Sequence, residues 1–149
     1  MNWVDWLLII FLLISVANGF QEGIALSPAG TVSEGSGQNV FVVAGGTVFT
    51  TPLDGTLLGG ITRASVIRIA RDAGYEVREQ SIARETLYAA DEIFLTGTAS
   101  EVTPVRSIDR IRIGSGKRGP ITTDLQKRFL DIVNGKVDDA YGWMVPVRR

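Results

Sequence analysis

Asn39-Val-Phe-Val-Val-Ala-Gly-Gly-Thr-Val-Phe-Thr50 reads as two strands joined by a tight turn. Asn39 to Val43 is an apolar run of the length of a buried strand. Gly45-Gly46 supplies the positive φ values that a two-residue hairpin demands, and Thr47 to Thr50 returns antiparallel. Working outward, Glu92 to Thr96 has the same buried texture, and Gly97-Thr98-Ala99-Ser100 turns it into Glu101 to Arg106. Glu22 to Ser27 reads as a strand turned at Pro28-Ala29-Gly30, and Tyr75 to Ser81 as another. Thr51 to Gly60 is a loop carrying Pro52, Gly55, Gly59 and Gly60. Helical spacing appears after Thr62, where Val66, Ile69, Ala70 and Ala73 recur at intervals of three and four until Gly74 closes the helix as a left-handed cap. Arg84 to Ala90 reads as a short helix. Ile111 and Ile113 precede the loop Gly114 to Pro120, and Ile121 to Asn134 forms a last amphipathic helix with Leu125, Phe129, Ile132 and Val133 on one face. Strands outnumber helices and several are hairpin-linked, which predicts an α/β (α+β) fold with a mixed, largely antiparallel sheet.

The chain has 149 residues, enough for one real core at the usual ~100–200 residues per domain. It contains no His and no Cys, which excludes Ser-His-Asp and Cys-His catalysis, thiol redox chemistry, disulfides and the ordinary zinc and haem sites. No metal site is expected. A net charge of −1 supplies no positive field for nucleic acid or an anionic membrane. With 45% hydrophobic and 21% charged residues the balance is that of a folded globular chain, and the lack of Cys fits a reducing cytosol.

The N-terminus departs from that average. Trp6 to Ile14 is wholly apolar, extended by Ser15, Val16 and Ala17. The run falls short of the ~20 residues that a bilayer span requires. Ser15 and Ala17 suit a signal-peptide cleavage site, but Asp5 precedes the run and no Lys or Arg does. A helix buried around nearly its whole circumference is the other reading.

Three segments carry candidate chemistry. In Val32-Ser-Glu-Gly-Ser-Gly-Gln-Asn39, Glu34 sits in a glycine-rich turn where backbone can approach a flat ligand, and its carboxylate would keep a heteroaromatic ring nitrogen protonated. An exposed turn carboxylate is the plainer alternative. Gly59-Gly60-Ile61-Thr62-Arg63 enters a helix, where free N–H groups and a hydroxyl make a phosphate cradle, or where Thr62 simply caps the helix. Gly97-Thr98-Ala99-Ser100 offers a second set of donors. A ring-nitrogen carboxylate with two anion-binding turns is the minimum for holding pyridoxal phosphate.

Those segments, together with Glu22-Gly-Ile-Ala-Leu26, Glu76-Val-Arg-Glu-Gln80, Ala90 to Val105 and Gly119-Pro-Ile-Thr122, resemble the C-terminal domain of bacterial-type branched-chain amino acid aminotransferases. These are the class IV, fold-type IV pyridoxal phosphate enzymes. The likeness runs from about Ala17 to Trp143. It implies a pseudo-barrel with flanking helices, a linking helix over residues 1–18, and a cofactor-binding domain over 19–149 whose small N-terminal companion domain is not in this chain. It further implies that Glu34 pairs with the pyridine nitrogen, that Gly60, Ile61 and Thr62 with Thr98 hold the phosphate, and that Leu58 packs on the ring. The amides of Thr98 and Ala99 would receive the substrate carboxylate. The implied reaction moves the amino group of Leu, Ile or Val to 2-oxoglutarate in a cytoplasmic homo-oligomer.

Two departures stand out. Gly59 replaces a Pro common in the family. The family's Schiff-base lysine lies just before the point where this chain begins, in a segment Lys-x-x-x-Asn-Tyr of which Asn2-Trp3 is the candidate remnant. Lys117, Lys127 and Lys136 read as surface residues, so no catalytic lysine is assigned, and an incomplete or misstarted reading frame is expected. Alternative readings are a D-amino acid transaminase or aminodeoxychorismate lyase on the same fold, and a non-enzymatic membrane-attached or secreted derivative using Trp6 to Ala17.

Overall fold

A computed structural model describes residues 3–145, with side chains from residue 9 onward. Four helices and nine strands appear among them: α1 (Trp3–Ala17), β1 (Ile24–Leu26), β2 (Val32–Gly35), β3 (Asn39–Ala44), β4 (Thr47–Thr50), α2 (Ile61–Asp72), β5 (Val77–Glu79), α3 (Arg84–Tyr88), β6 (Glu92–Gly97), β7 (Glu101–Val105), β8 (Ser107–Ile108), β9 (Ile111–Arg112) and α4 (Pro120–Val133). Asn2, half of the candidate remnant motif, lies outside the described residues.

β3 organises the sheet. Along one edge it pairs antiparallel with β6 from Asn39↔Thr96 to Val43↔Glu92, and it also pairs antiparallel with β4 through the Gly45-Gly46 hairpin. Both hairpin glycines adopt positive φ, as a primed turn requires. β2 joins β3 at the single position Glu34↔Asn39, β7 extends the sheet beyond β6, and β5 runs parallel to β4. The sheet is therefore mixed and largely antiparallel, as expected.

Alternation along β3 divides the core. Phe41 and Val43 face α2 and α4 and pack with Phe94, Val66, Ile69, Leu125 and Phe129, with the Phe41 and Phe94 rings stacked at 4.8 Å. Val40 and Val42 face the opposite side with Val32, Ile82, Leu87, Ile93, Leu95 and Ile113. Burial on both faces explains why the strand reads as continuous apolar sequence.

Several boundaries move. β1 and β5 are shorter than Glu22 to Ser27 and Tyr75 to Ser81, because only their central residues meet a partner strand. Val32 to Gly35 is a strand, so Glu34 projects from a ladder and not from a turn. Val133 is exposed, one position past the buried stripe of α4. α1 is 15 residues, about 22 Å at the usual rise, and no described helix is long and apolar enough to cross a membrane. Among the described residues α1 packs on the chain along one side. Its Phe11 and Ser15 pack on Gly23, where an added Cβ would lie 2.6 and 2.5 Å from them, while Ile10, Leu13, Ile14 and Val16 are exposed.

The N-terminus of α4 is sealed from within the chain. Buried Glu92 accepts hydrogen bonds from the amides of Ile121 at 3.0 Å and Thr122 at 2.8 Å, placing a carboxylate against the positive end of the helix dipole. Gly119 leaves the room: a Cβ there would lie 2.1 Å from Glu92 Cδ. Glu92→Ala orphans both amides and is expected to cost about 2–3 kcal/mol, read from the urea midpoint at unchanged m-value.

Candidate functional site

At the end of the sheet opposite Glu92, the register aligns Glu34 with Asn39 and Asn39 with Thr96. Directly opposed residues of antiparallel strands project to the same face, so a carboxylate, a carboxamide and a hydroxyl stand in one row. Loop 51–60 is drawn down onto this row. Thr51 Oγ1 donates to the Ser33 carbonyl at 3.2 Å, and Ser33 Oγ donates to the Thr56 carbonyl at 2.5 Å. The Leu58 amide donates to Glu34 Oε2 at 3.0 Å, and Asn39 Nδ2 donates to the Leu58 carbonyl at 2.8 Å.

Both backbone polar groups of Leu58 are thus held by sheet side chains. Its own side chain is turned outward, 70% exposed. Two residues on, Gly60 passes so close that a Cβ would lie 2.3 Å from Asn39 Oδ1. No larger residue fits there without moving Asn39.

Gly60 is the N-cap of α2, which corrects the reading of Thr62 as cap. Thr62 is the second helical residue and is buried. A glycine has no side chain with which to accept from the first-turn amides, no side-chain hydrogen bond caps the helix, and no acidic residue occupies the first turn. The contrast with α4 is chemical: there a carboxylate fills the helix mouth, while no side chain among the described residues caps the first-turn amides of α2. Arg63 anchors this turn, donating to the Thr51 carbonyl at 2.8 Å and pairing with Glu79 at 2.9 Å.

The third predicted segment arrives at the same place. Gly97 follows Thr96, and a Cβ on it would lie 2.9 Å from the Gly37 carbonyl, so the β6–β7 turn is pressed on the β2–β3 turn. Thr98 and Ala99 are exposed at its tip. Glu34, Leu58, Gly60, Ile61, Thr62, Thr98 and Ala99 therefore lie on one end of the sheet. Sequence reasoning assigned no separate role to Asn39, Ser33 or Arg63. Asn39 closes the quoted Val32–Asn39 motif, and its polar side chain at the head of an apolar strand was the available signal.

Unsatisfied groups concentrate here. Five buried side-chain polar atoms have no hydrogen-bond partner among the described residues, and four belong to this region: Gln38 Oε1, Thr96 Oγ1, Ser100 Oγ and Arg63 Nε. Buried polar atoms are ordinarily paired, so their clustering marks the place where the chain has given up self-satisfaction. Burial also pushes the Glu34 carboxyl above its ordinary value of 4.5, with the Leu58 amide offsetting part of the rise. A carboxyl whose pKa is raised by folding makes the native state bind its proton more tightly than the unfolded chain does. Its contribution to stability therefore declines as pH rises through and above 4.5. Glu34→Gln keeps an acceptor for Leu58 and removes the ionisation. The variant is expected to match or exceed the parent in stability at pH 7, with the difference vanishing below about pH 4, measured by denaturant unfolding across that range.

Comparison with known proteins gives this geometry its context. Residues 9–108 match the family model described as amino-transferase class IV. The branched-chain-amino-acid aminotransferase of Salmonella typhimurium is 49% identical over 130 residues, which are 87% of this chain and 42% of that protein. The crystal structure of the Escherichia coli branched-chain amino acid aminotransferase superposes with a TM-score of 0.90 at 45% identity, covering 93% of this chain and 46% of the other. That of the Thermobaculum terrenum enzyme, described as the PLP-form, gives 0.93 at 36% identity over 97% and 48%. This chain spans about two fifths of the length of the curated relatives it matches. With its fold and its sequence in agreement, the chain belongs to the class IV aminotransferases.

Proposed function

We propose that this chain is the cofactor-facing part of a cytoplasmic branched-chain amino acid aminotransferase that acts on Leu, Ile and Val and their 2-oxo acids, as a homo-oligomer, with pyridoxal 5'-phosphate. The observation that carries the reading is the tie between Glu34 and the α2 mouth through Leu58: one carboxylate oxygen holds the Leu58 amide at 3.0 Å. The other accepts no hydrogen bond among the described residues and is left for a ring nitrogen. Residues 19–149 are the cofactor-binding domain in this reading, with residues 1–18 linking it to the rest of the enzyme.

The residues present fit the group. Its phosphate needs amide and hydroxyl donors without a competing carboxylate, which the Gly60–Ile61–Thr62 turn and Thr98 provide. Its ring needs an apolar face, provided by exposed Leu58, and a carboxylate that binds a protonated nitrogen, provided by half-buried Glu34. When bound, pyridoxal phosphate supplies the electron sink that makes amino-acid Cα chemistry accessible.

Each side chain then has a defined task. Glu34 keeps a proton on the ring nitrogen, because the salt of a carboxylate with a protonated ring is favoured where burial weakens solvent competition. The α2 mouth fixes the phosphate end and thereby the ring's orientation. The amides of Thr98 and Ala99, on the neighbouring turn, receive the substrate carboxylate. The proton at Cα requires a base that these residues do not contain. Lys117 is exposed in the loop after Ile113, and Lys127 and Lys136 approach Asp131 on α4 at 2.6 and 3.8 Å, so none meets Glu34.

Calorimetric titration with pyridoxamine 5'-phosphate, which needs no lysine linkage, tests the reading. One site per chain is expected, weakened about tenfold or more by Glu34→Ala, the size of a lost hydrogen bond to a charged group. Borohydride treatment with pyridoxal phosphate is expected to leave no adduct on a single lysine. Unchanged binding by the Glu34 variant, or specific reduction onto Lys117, Lys127 or Lys136, would overturn it.

A further inference from the structure

Glu22 stands outside the set of residues facing the cofactor space, yet its carboxylate is fully employed. Oε1 accepts from the amides of Gly23 at 2.8 Å and Ser36 at 3.2 Å, and Oε2 accepts from Ser36 Oγ at 3.0 Å. Three donors converge on it, and no cation is paired with it among the described residues. Ser36 lies two residues after Glu34, in the turn that joins β2 to β3. That turn is tight, with the Gly35 amide donating to the Gln38 carbonyl at 2.7 Å.

Glu22 also sits where α1 hands over to the sheet. Phe20 lies beneath the Arg110 guanidinium at 4.9 Å, and Arg110 in turn holds the Asn18 carbonyl at 3.0 Å, which fixes the segment on one side. Gly23 on the other side is packed on Phe11 and Ser15 of α1 so closely that no side chain fits. The β1–β2 pairing that follows is irregular, joining Ile24 to Gly35 and Leu26 to Val32, so the ladder alone leaves the register of this edge loosely determined.

We infer that Glu22 is a positioning residue of the proposed cofactor site: by gripping Ser36 from the segment between α1 and β1, it sets the β2–β3 turn and thereby the height at which Glu34 meets the Leu58 amide. The inference rests on the proposed function for its consequence, since a mis-set Glu34 would meet the ring nitrogen poorly. Its physical content is independent of any ligand. The path runs from α1 through its packing on Gly23 and the Glu22–Ser36 hydrogen bonds, and from Ser36 along the backbone through Gly35 to Glu34.

Amide hydrogen exchange on the unliganded chain separates the two claims. In Glu22→Ala, exchange at Ser36 and at Leu58 is expected to quicken about tenfold, as for loss of a charge-assisted hydrogen bond, while Val42 and Phe94 in the core keep their rates. Leu58 is the diagnostic position, because it touches Glu34 and not Glu22. Glu22→Gln is expected to restore slow exchange: its carbonyl accepts from the Ser36 amide and its NH₂ donates to Ser36 Oγ. Should Glu22→Ala unfold the chain, Ser36→Ala, which removes one of the three bonds, is expected to quicken Leu58 by a smaller factor. A Leu58 rate unchanged in Glu22→Ala, or in Ser36→Ala where the first variant does not fold, contradicts the inference. Slow exchange at Leu58 in the parent chain with no binding of pyridoxamine phosphate would sink the proposed function while leaving the role of Glu22 standing.

Discussion

Leu58 is held by both ends, its amide by Glu34 and its carbonyl by Asn39, and the arrangement of the site follows from that double grip. A ten-residue loop rich in glycine would otherwise have many conformations to lose, and its entropy would keep the start of α2 wandering over the sheet. Two hydrogen bonds from adjacent, in-register strand residues remove that freedom at the one point nearest the helix. Gly60 completes the constraint, since only a residue without Cβ passes Asn39 at this distance. The helix mouth then opens at a fixed offset from the Glu34 carboxylate.

The two longer sheet-packed helices show the same physics used in opposite ways. At α4 the chain spends its own buried carboxylate, Glu92, on the first-turn amides, and the result is a closed structural joint. At α2 the equivalent donors are left open beneath exposed Ile61, and four unpaired buried polar atoms gather around the same sheet end. Local self-satisfaction is the rule inside proteins, and these departures from it gather at the sheet end where the proposed cofactor site lies. Glu34 belongs to this set, since burial raises its pKa against folding stability.

Much of the fold was legible because its signals are local. The apolar run Asn39–Val43 and the Gly45-Gly46 turn specify their hairpin without help from the rest of the chain, and the three-and-four spacing in α2 and α4 does the same. The family resemblance and the three glycine-rich segments carried the site. What stayed hidden depends on register. Glu34 resembles a turn residue from its glycine neighbours, and only pairing with Asn39 makes it a strand residue. Thr62 resembles a cap because Thr is favoured at that position, but the helix is capped two residues earlier by Gly60, the residue that passes Asn39 without a Cβ. The apolar run of α1 suits a signal or anchor as well as a buried helix from composition alone, and among the described residues it packs on the chain at Gly23.

Amide chemical shifts of the isotopically labelled chain during titration with pyridoxamine 5'-phosphate test most directly whether the Leu58 grip builds an anion cradle beside Glu34. The expected result is that the largest shifts fall on Leu58, Ile61, Thr62, Thr98 and Ala99, and that Asn39→Ala disperses them. Shifts centred on the cationic loop around Lys117, or a pattern at α2 indifferent to Asn39→Ala, would contradict it.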